Sequence, residues 1–160
     1  MMKLTPTFDS HVAQLPALLA ALEACDPATR AELAGRLPRN TPGIYAFYHD
    51  GQPVYVGRTR DLRRRLGEHG RVGSSHYSAS FAFLRARRAA EAAGHVLAGK
   101  SRKTLSGESD GFQPFFAAEK ATVAGMTLRW VVVPEAVTQA LLEVYAALEL
   151  GTPFNSFETS

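Results

Sequence analysis

Residues 43–49, GIYAFYH, and 52–57, QPVYVG, are two runs rich in aromatic and β-branched residues, separated by Asp50-Gly51. Asp-Gly between such runs is a strong hairpin signal, because a tight two-residue turn needs positive φ at both central positions. Alternation puts Gly43, Tyr45 and Phe47 on one face of the first strand, and Ile44, Ala46 and Tyr48 on the other. On the second strand, which Gly57 ends, Tyr55 shares a face with Pro53 and Gly57. A helix then starts near Thr59 or Asp61, both good N-caps.

The rest of the chain supplies one more strand and several helices. Residues 11–36 read as one or two helices, the second starting with Pro27 at its first helical position after Asp26. RNTP (39–42) is a loop, 78–94 is helical, and the polar stretch 98–114 is a mobile loop. TLRWVVVP (127–134) is a strand, and 134–151 a helix with Pro134 near its start and Gly151 at its end. The order predicts an α+β fold, a small, mostly antiparallel three-stranded sheet flanked by helices. It is one domain over 1–160, with a helical extension (1–40) and an insert (71–127).

Composition narrows the function. The chain of 160 residues, 46% hydrophobic and 21% charged, is ordinary globular material. Its one cysteine, Cys25, excludes an intramolecular disulfide framework and a cysteine-based zinc cluster. No segment reads as a signal peptide or is long enough to span a bilayer, so a cytoplasmic protein without membrane contact is expected.

Charge is distributed unevenly. Five arginines fall within the eight residues 58–65, and Arg58 to Lys103 holds twelve basic residues against three acids, net +9. The remainder of the chain carries −6. One basic lobe on an acidic body is the footprint of a nucleic-acid binder, weighed against a merely solvated basic face. Arg58, Arg60, Arg63, Arg85, Arg87, Arg88, Lys100, Arg102 and Lys103 are the candidate phosphate contacts.

Helical angles sort the side chains. With Leu62 at zero and about 100° per residue, Leu66 falls at about 40°, Arg65 at about 300° and His69 at about 340°. Arg65 and His69 therefore flank the Leu62/Leu66 ridge that faces the sheet, whereas Arg64, at about 200°, points outward. On the last helix, Ala136, Val137, Ala140, Leu141, Val144, Ala147 and Leu148 form the expected apolar face, centred at about 75° from Ala136. Glu143, at about 340°, lies at its rim, and Glu149, at about 220°, points away. A carboxylate at a core's rim is paired, capped or metal-bound, because leaving it desolvated is costly.

GIY at 43–45 and YVG at 55–57, followed by Arg58, Arg65, His69, Glu143 and, twelve residues on, Asn155, together resemble the GIY-YIG nuclease family. The resemblance covers about residues 43–71 and 128–157. It implies metal-dependent hydrolysis of nucleic-acid phosphodiesters, DNA before RNA, with one Mg²⁺ or Mn²⁺ per site. In that reading Glu143 holds the cation and Arg65 a non-bridging phosphate oxygen. Tyr45 is the candidate general base, Arg58 and His69 help it to lose its proton, and Tyr55 positions water or phosphate. Asn155 orients Glu143 or the phosphate backbone. Which tyrosine abstracts the proton stays open.

Arg58 stands where lysine is frequent in the family, and His69 where some members have tyrosine. The insert is the departure from minimal members, and no family role carries onto it. His76, Tyr77, Phe81 and Phe83 are the insert's candidates for base stacking, the two phenylalanines favoured as core instead. The alternative to an endonuclease is a non-hydrolytic nucleic-acid-binding module on the same fold. A third reading, a structural interaction protein with a basic face, leaves the tyrosine–glutamate–asparagine set unexplained. The oligomeric state is open.

Overall fold

Asp50 and Gly51 take positive φ, 50° and 76°, and close the expected hairpin between β1 (Gly43–His49) and β2 (Gln52–Thr59). β3 (Thr127–Val132) pairs with the other edge of β1, so the sheet is antiparallel with the order β2-β1-β3. Pairing jumps from Phe47–Tyr55 to Tyr48–Pro53. Val54 is thus an extra, bulged residue next to a proline that has no N–H to offer a ladder. β2 runs two residues past Gly57, its expected end, and so brings Arg58 into the sheet opposite Ile44.

This computed structural model describes residues 5–106 and 111–157. The ends of the expected 1–160 domain, at 1–4 and 158–160, and the 107–110 part of the expected 98–114 loop lie outside the described residues. The first three helices are α1 (Phe8–Val12), α2 (Leu15–Ala24) and α3 (Leu33–Arg36), and α4 (Leu62–His69) follows the hairpin. The last four are α5 (Ser80–Ala92), α6 (Arg102–Ser106), α7 (Phe112–Ala124) and α8 (Ala136–Leu150). No helix among the described residues is long and apolar enough to cross a membrane.

The strand alternation becomes two cores. Tyr45 and Phe47 pack with Leu62, Leu66, Phe81, Phe83 and Phe112, under α4, α5 and α7. Ile44, Ala46 and Val56 pack with Leu15, Leu22, Leu142 and Ala146, under α2 and α8. Phe81 and Phe83 are both fully buried, as core residues and not as stacking platforms.

Three expectations fail for identifiable reasons. Pro27 does not start a helix: Ala28 exchanges two backbone hydrogen bonds with Leu128, extending the sheet's outer edge. Helical structure waits for Thr29, whose capping box with Glu32 opens a 3₁₀ turn at Arg30–Glu32 leading into α3. The stretch 98–114 is not a plain loop, because it holds α6 and the first turn of α7, whose Phe112 and Phe116 pack on Phe83.

The face of α8 is the third correction. Its buried residues are Thr138, Gln139, Leu142, Ala146 and Ala147, while Val137, Val144 and Leu148 are 53%, 40% and 70% exposed. The polar pair is buried because both side chains are satisfied. Thr138 Oγ1 shares a 2.8 Å hydrogen bond with His11 Nδ1 of α1, and Gln139 Nε2 donates to the Val133 carbonyl at 2.6 Å. The helix is turned to nearly the opposite side from that expected. Glu143 lies about 95° from the centre of the expected face and about 65° from that of the observed one, and stays at the rim in both orientations.

Candidate functional site

Tyr45 faces Gly57 across the β1–β2 ladder, and the missing side chain there makes room for its phenol. A Cβ on Gly57 would lie 2.3 Å from the Tyr45 hydroxyl oxygen. Beyond Gly57 the hydroxyl meets His69 Nε2 of α4 at 2.8 Å. Neither group reaches solvent, Tyr45 being 1% exposed and His69 0%. Burial, together with the Arg65 cation, pushes the His69 pKa down to about 3. Burial, then the neighbouring Tyr55, pushes the Tyr45 phenol far above its usual range. The proton of the pair therefore rests on Tyr45, and His69 is neutral. Nδ1 of His69 is buried without a hydrogen-bond partner among the described residues.

Tyr55 is the phenol that opens to solvent. Its ring stacks on Phe81 at 4.6 Å and 8°, and its edge lines a cleft of about 370 Å³ with Arg58, Glu143, Asn155 and Phe157. Burial raises its pKa, opposed first by the Ser80 hydroxyl and also by Arg65. Tyr45, the expected base toward water, stands behind Tyr55 and is closed off in the free protein.

Arg58 shares a strand face with Val56, which packs toward α8, so it leaves the sheet on the side away from Tyr45. Its Nε is 2.9 Å from Glu143 Oε2. The expectation that Arg58 assists Tyr45 is thus corrected, since the sheet itself separates them. The half-buried Glu143 carboxyl is raised by desolvation, against the opposing effect of Arg58. Glu149 is exposed, as expected.

Arg65 is not free either. It donates to the carbonyls of Tyr77 (3.3 Å) and Ser78 (3.0 Å) and to Ser80 Oγ (3.0 Å). These anchors come from the insert, onto which no family role carries. Ser80, beside both Arg65 and Tyr55, is the residue that reading missed, and the SSHYSAS run before α5 was the available signal.

Asn155 does not orient Glu143. Its Oδ1 accepts from Val56 N–H and its Nδ2 donates to Val56 C=O, both at 2.8 Å, while Thr152 Oγ1 donates to the same Oδ1 at 2.7 Å. β2 is an edge strand, and the amide of Asn155 supplies the backbone partner that Val56 would otherwise lack.

The nine basic candidates divide. Arg85 is paired with Glu119 at 2.7 Å, and Arg88 donates to the Pro153 carbonyl and lies over the Phe154 ring at 4.2 Å. Arg85 ties α5 to α7 within the insert, Arg88 holds the insert to the chain's end, and both are corrected from phosphate contacts to packing residues. Arg87 pairs loosely with Glu91 at 3.8 Å, and Arg102 lies over the Phe83 ring at 4.9 Å. Arg60, Lys100 and Lys103 are exposed, and Arg63 is half-buried on α4.

No group of three or more His, Cys, Asp or Glu side chains with metal-ligand spacing occurs among the described residues. A cation at this cleft would rest on Glu143 as the carboxylate lining it. That donor set suits Mg²⁺ or Mn²⁺, which keep several waters and take one or two carboxylates.

Residues 41–106 match the family model of the GIY-YIG catalytic domain, a stretch containing Tyr45, Tyr55, Arg58, Arg65 and His69 and ending before Glu143 and Asn155. No curated protein and no solved structure matches the chain.

Proposed function

Because the chain belongs to the GIY-YIG nuclease family through residues 41–106, we propose that it is a divalent-metal-dependent endonuclease hydrolysing phosphodiester bonds, with DNA preferred over RNA. The observation that carries this reading is a convergence at the outer edge of β2. Tyr45 and His69 lie on one face of the strand, Arg58 and Glu143 on the other, and Tyr55 lines the cleft.

Each residue then has a task. Glu143 would hold one Mg²⁺ or Mn²⁺, which when bound supplies positive charge at the scissile phosphate and its leaving oxygen. Arg58, released from Glu143, turns its guanidinium to the phosphate. Tyr55 touches the incoming water or a phosphate oxygen. The Tyr55 phenolate, favoured by the Ser80 hydroxyl and the Arg65 cation against burial, takes the proton of the attacking water, while Tyr45 and neutral His69 stay as a buried hydrogen-bonded pair behind it. As the water oxygen bonds to phosphorus, the bond to the leaving sugar oxygen breaks. Arg65, fixed by the insert, contributes permanent positive charge beside both phenols and favours the ionised form of Tyr55.

Labelled single- and double-stranded oligonucleotides incubated with Mg²⁺, Mn²⁺ or EDTA test the proposal. Metal-dependent cleavage is expected. Tight binding without cleavage under any metal would assign the chain to the non-hydrolytic alternative.

A further inference from the structure

The outer face of α4, turned away from the catalytic pair, forms the wall of a second basic site. Two adjoining hollows of about 630 and 490 Å³ lie between α4 and the N-terminal extension and share Arg30, Arg63 and Gly67. Arg30 crosses between the walls, its Nε and Nη2 donating to the Gly67 carbonyl at 3.1 and 2.8 Å. Gly67 contributes no side chain, and a Cβ there would meet nothing within 4 Å, so the floor stays open.

The larger hollow is lined by five arginines and two acids. Both acids are committed. Asp61 Oδ1 caps α4 by accepting from Arg64 N–H, and Glu68 lies 3.4 Å from Arg64 and 3.7 Å from Arg65. Arg39, Arg63 and Arg71 have no carboxylate partner among the described residues. Arg39 and Arg71 are exposed and both line the hollow. Three unpaired guanidinium groups around an open groove form a site for several phosphates, since each fork can take two oxygens of one phosphate.

We propose that this groove binds the phosphodiester backbone of the nucleic acid at a distance from the cleavage point, so that the N-terminal extension is part of the substrate-binding surface. The proposal rests on the nuclease reading for the identity of the polyanion. It adds a partner for Arg39 and Arg71, and gives the extension a role beyond covering the core. A strand seated in the cleft at β2 continues over the α4 face into the groove, and only a substrate long enough to reach both sites gains from it.

The test is fluorescence anisotropy in EDTA, where nothing is cleaved, with labelled hairpin duplexes of about 10 and about 30 base pairs over a range of salt, each base pair carrying two charges. Wild type should bind the longer duplex more tightly and with a steeper salt dependence. Arg39→Gln combined with Arg71→Gln should make the log–log slope on the longer duplex shallower by roughly 1.8, the counterion release of two phosphate contacts. It should leave the short duplex unaffected. Gly67→Glu, whose Cβ meets nothing within 4 Å and which adds a carboxylate to the groove, should lower affinity for the long duplex at least tenfold. An unchanged slope in the double variant, or full affinity in Gly67→Glu, overturns the groove while leaving the nuclease reading intact. Wild type that binds neither duplex overturns the nuclease reading itself. Competition by a nucleoside triphosphate at concentrations matching the protein would assign the groove to a free nucleotide and also overturn the proposal.

Discussion

The hydroxyl of Tyr45 and Nε2 of His69 lie 2.8 Å apart, in a pocket that admits solvent to neither. Burial keeps the imidazole neutral far into acid, with its pKa pushed down to about 3. An unfolded chain would protonate the same ring near its ordinary value of about 6.5. Between those two values the unfolded state binds one more proton than the folded one, so stability falls as pH falls.

Urea unfolding at successive pH values between neutrality and acid should therefore show a His69 contribution of about 1.4 kcal/mol per pH unit below its unfolded pKa. His69→Gln should have a shallower dependence by about that amount, whatever its stability at neutral pH. Equal slopes in the two proteins would mean that His69 charges freely in the folded state.

Gly57→Ala should destabilise the fold and displace Tyr45, since the added carbon would fall 2.3 Å from its hydroxyl oxygen and 2.4 Å from the ring carbon bearing it. A cost of about 1–3 kcal/mol is expected for such overpacking. Gly35→Ala, where the new carbon meets nothing within 4 Å, is the matched control. Thermal melts of the two variants decide it.

Glu143→Ala should abolish cleavage and leave the fold intact, because its partner Arg58 is half exposed and water can solvate the guanidinium left behind. Glu149→Ala, on an exposed position, should cleave as wild type does. Arg58→Ala should lower turnover without raising the metal concentration needed for half-maximal activity near neutrality, since the Arg58 cation competes with the metal for the Glu143 carboxylate. Full activity of Glu143→Ala at saturating metal would remove this residue from the site.

Arg65→Ala should lower turnover by roughly 10²–10³-fold, the scale for losing one pre-placed charge donor. Ser80→Ala, which loosens one of its anchors, should fall between that variant and wild type. Arg64→Ala should only weaken binding mildly, since Arg64 lies on the outer face of α4. Single-turnover rates at saturating substrate separate the three, and a larger defect in Arg64→Ala than in Arg65→Ala would reverse the assignment of the helix faces.

Asn155→Ala should cost about 1–3 kcal/mol of stability, because it strips partners from both backbone groups of Val56. Asn155→Asp keeps the acceptor and loses the donor, and should lie between the two. Chemical denaturation measures both. A variant as stable as wild type would show that water replaces the side chain without loss.

Residues close in sequence determined what they could reach by themselves. The hairpin follows from Asp50-Gly51 and the alternation beside it, because turn geometry and side-chain period are local properties. The placing of Leu62 and Leu66 inward, with Arg65 and His69 beside them, follows from helical spacing on one short element. The family resemblance joined these to Glu143 and Asn155, which no local rule connects to a tyrosine some ninety residues away.

Tertiary structure decided what depends on a partner. The buried face of α8 carries Thr138 and Gln139 because His11 and the Val133 carbonyl are there to receive them, and apolar periodicity alone pointed to the opposite side. Arg85 and Arg88 look like phosphate contacts until Glu119 and Phe154 are brought beside them. Asn155 has the chemistry of a phosphate ligand, but the open edge of β2 claims its amide. Charge and hydrogen-bonding capacity are written in each residue. Whether they are spent inside the protein or left for a ligand depends on which distant group folding places within about 3 Å, the reach of a hydrogen bond.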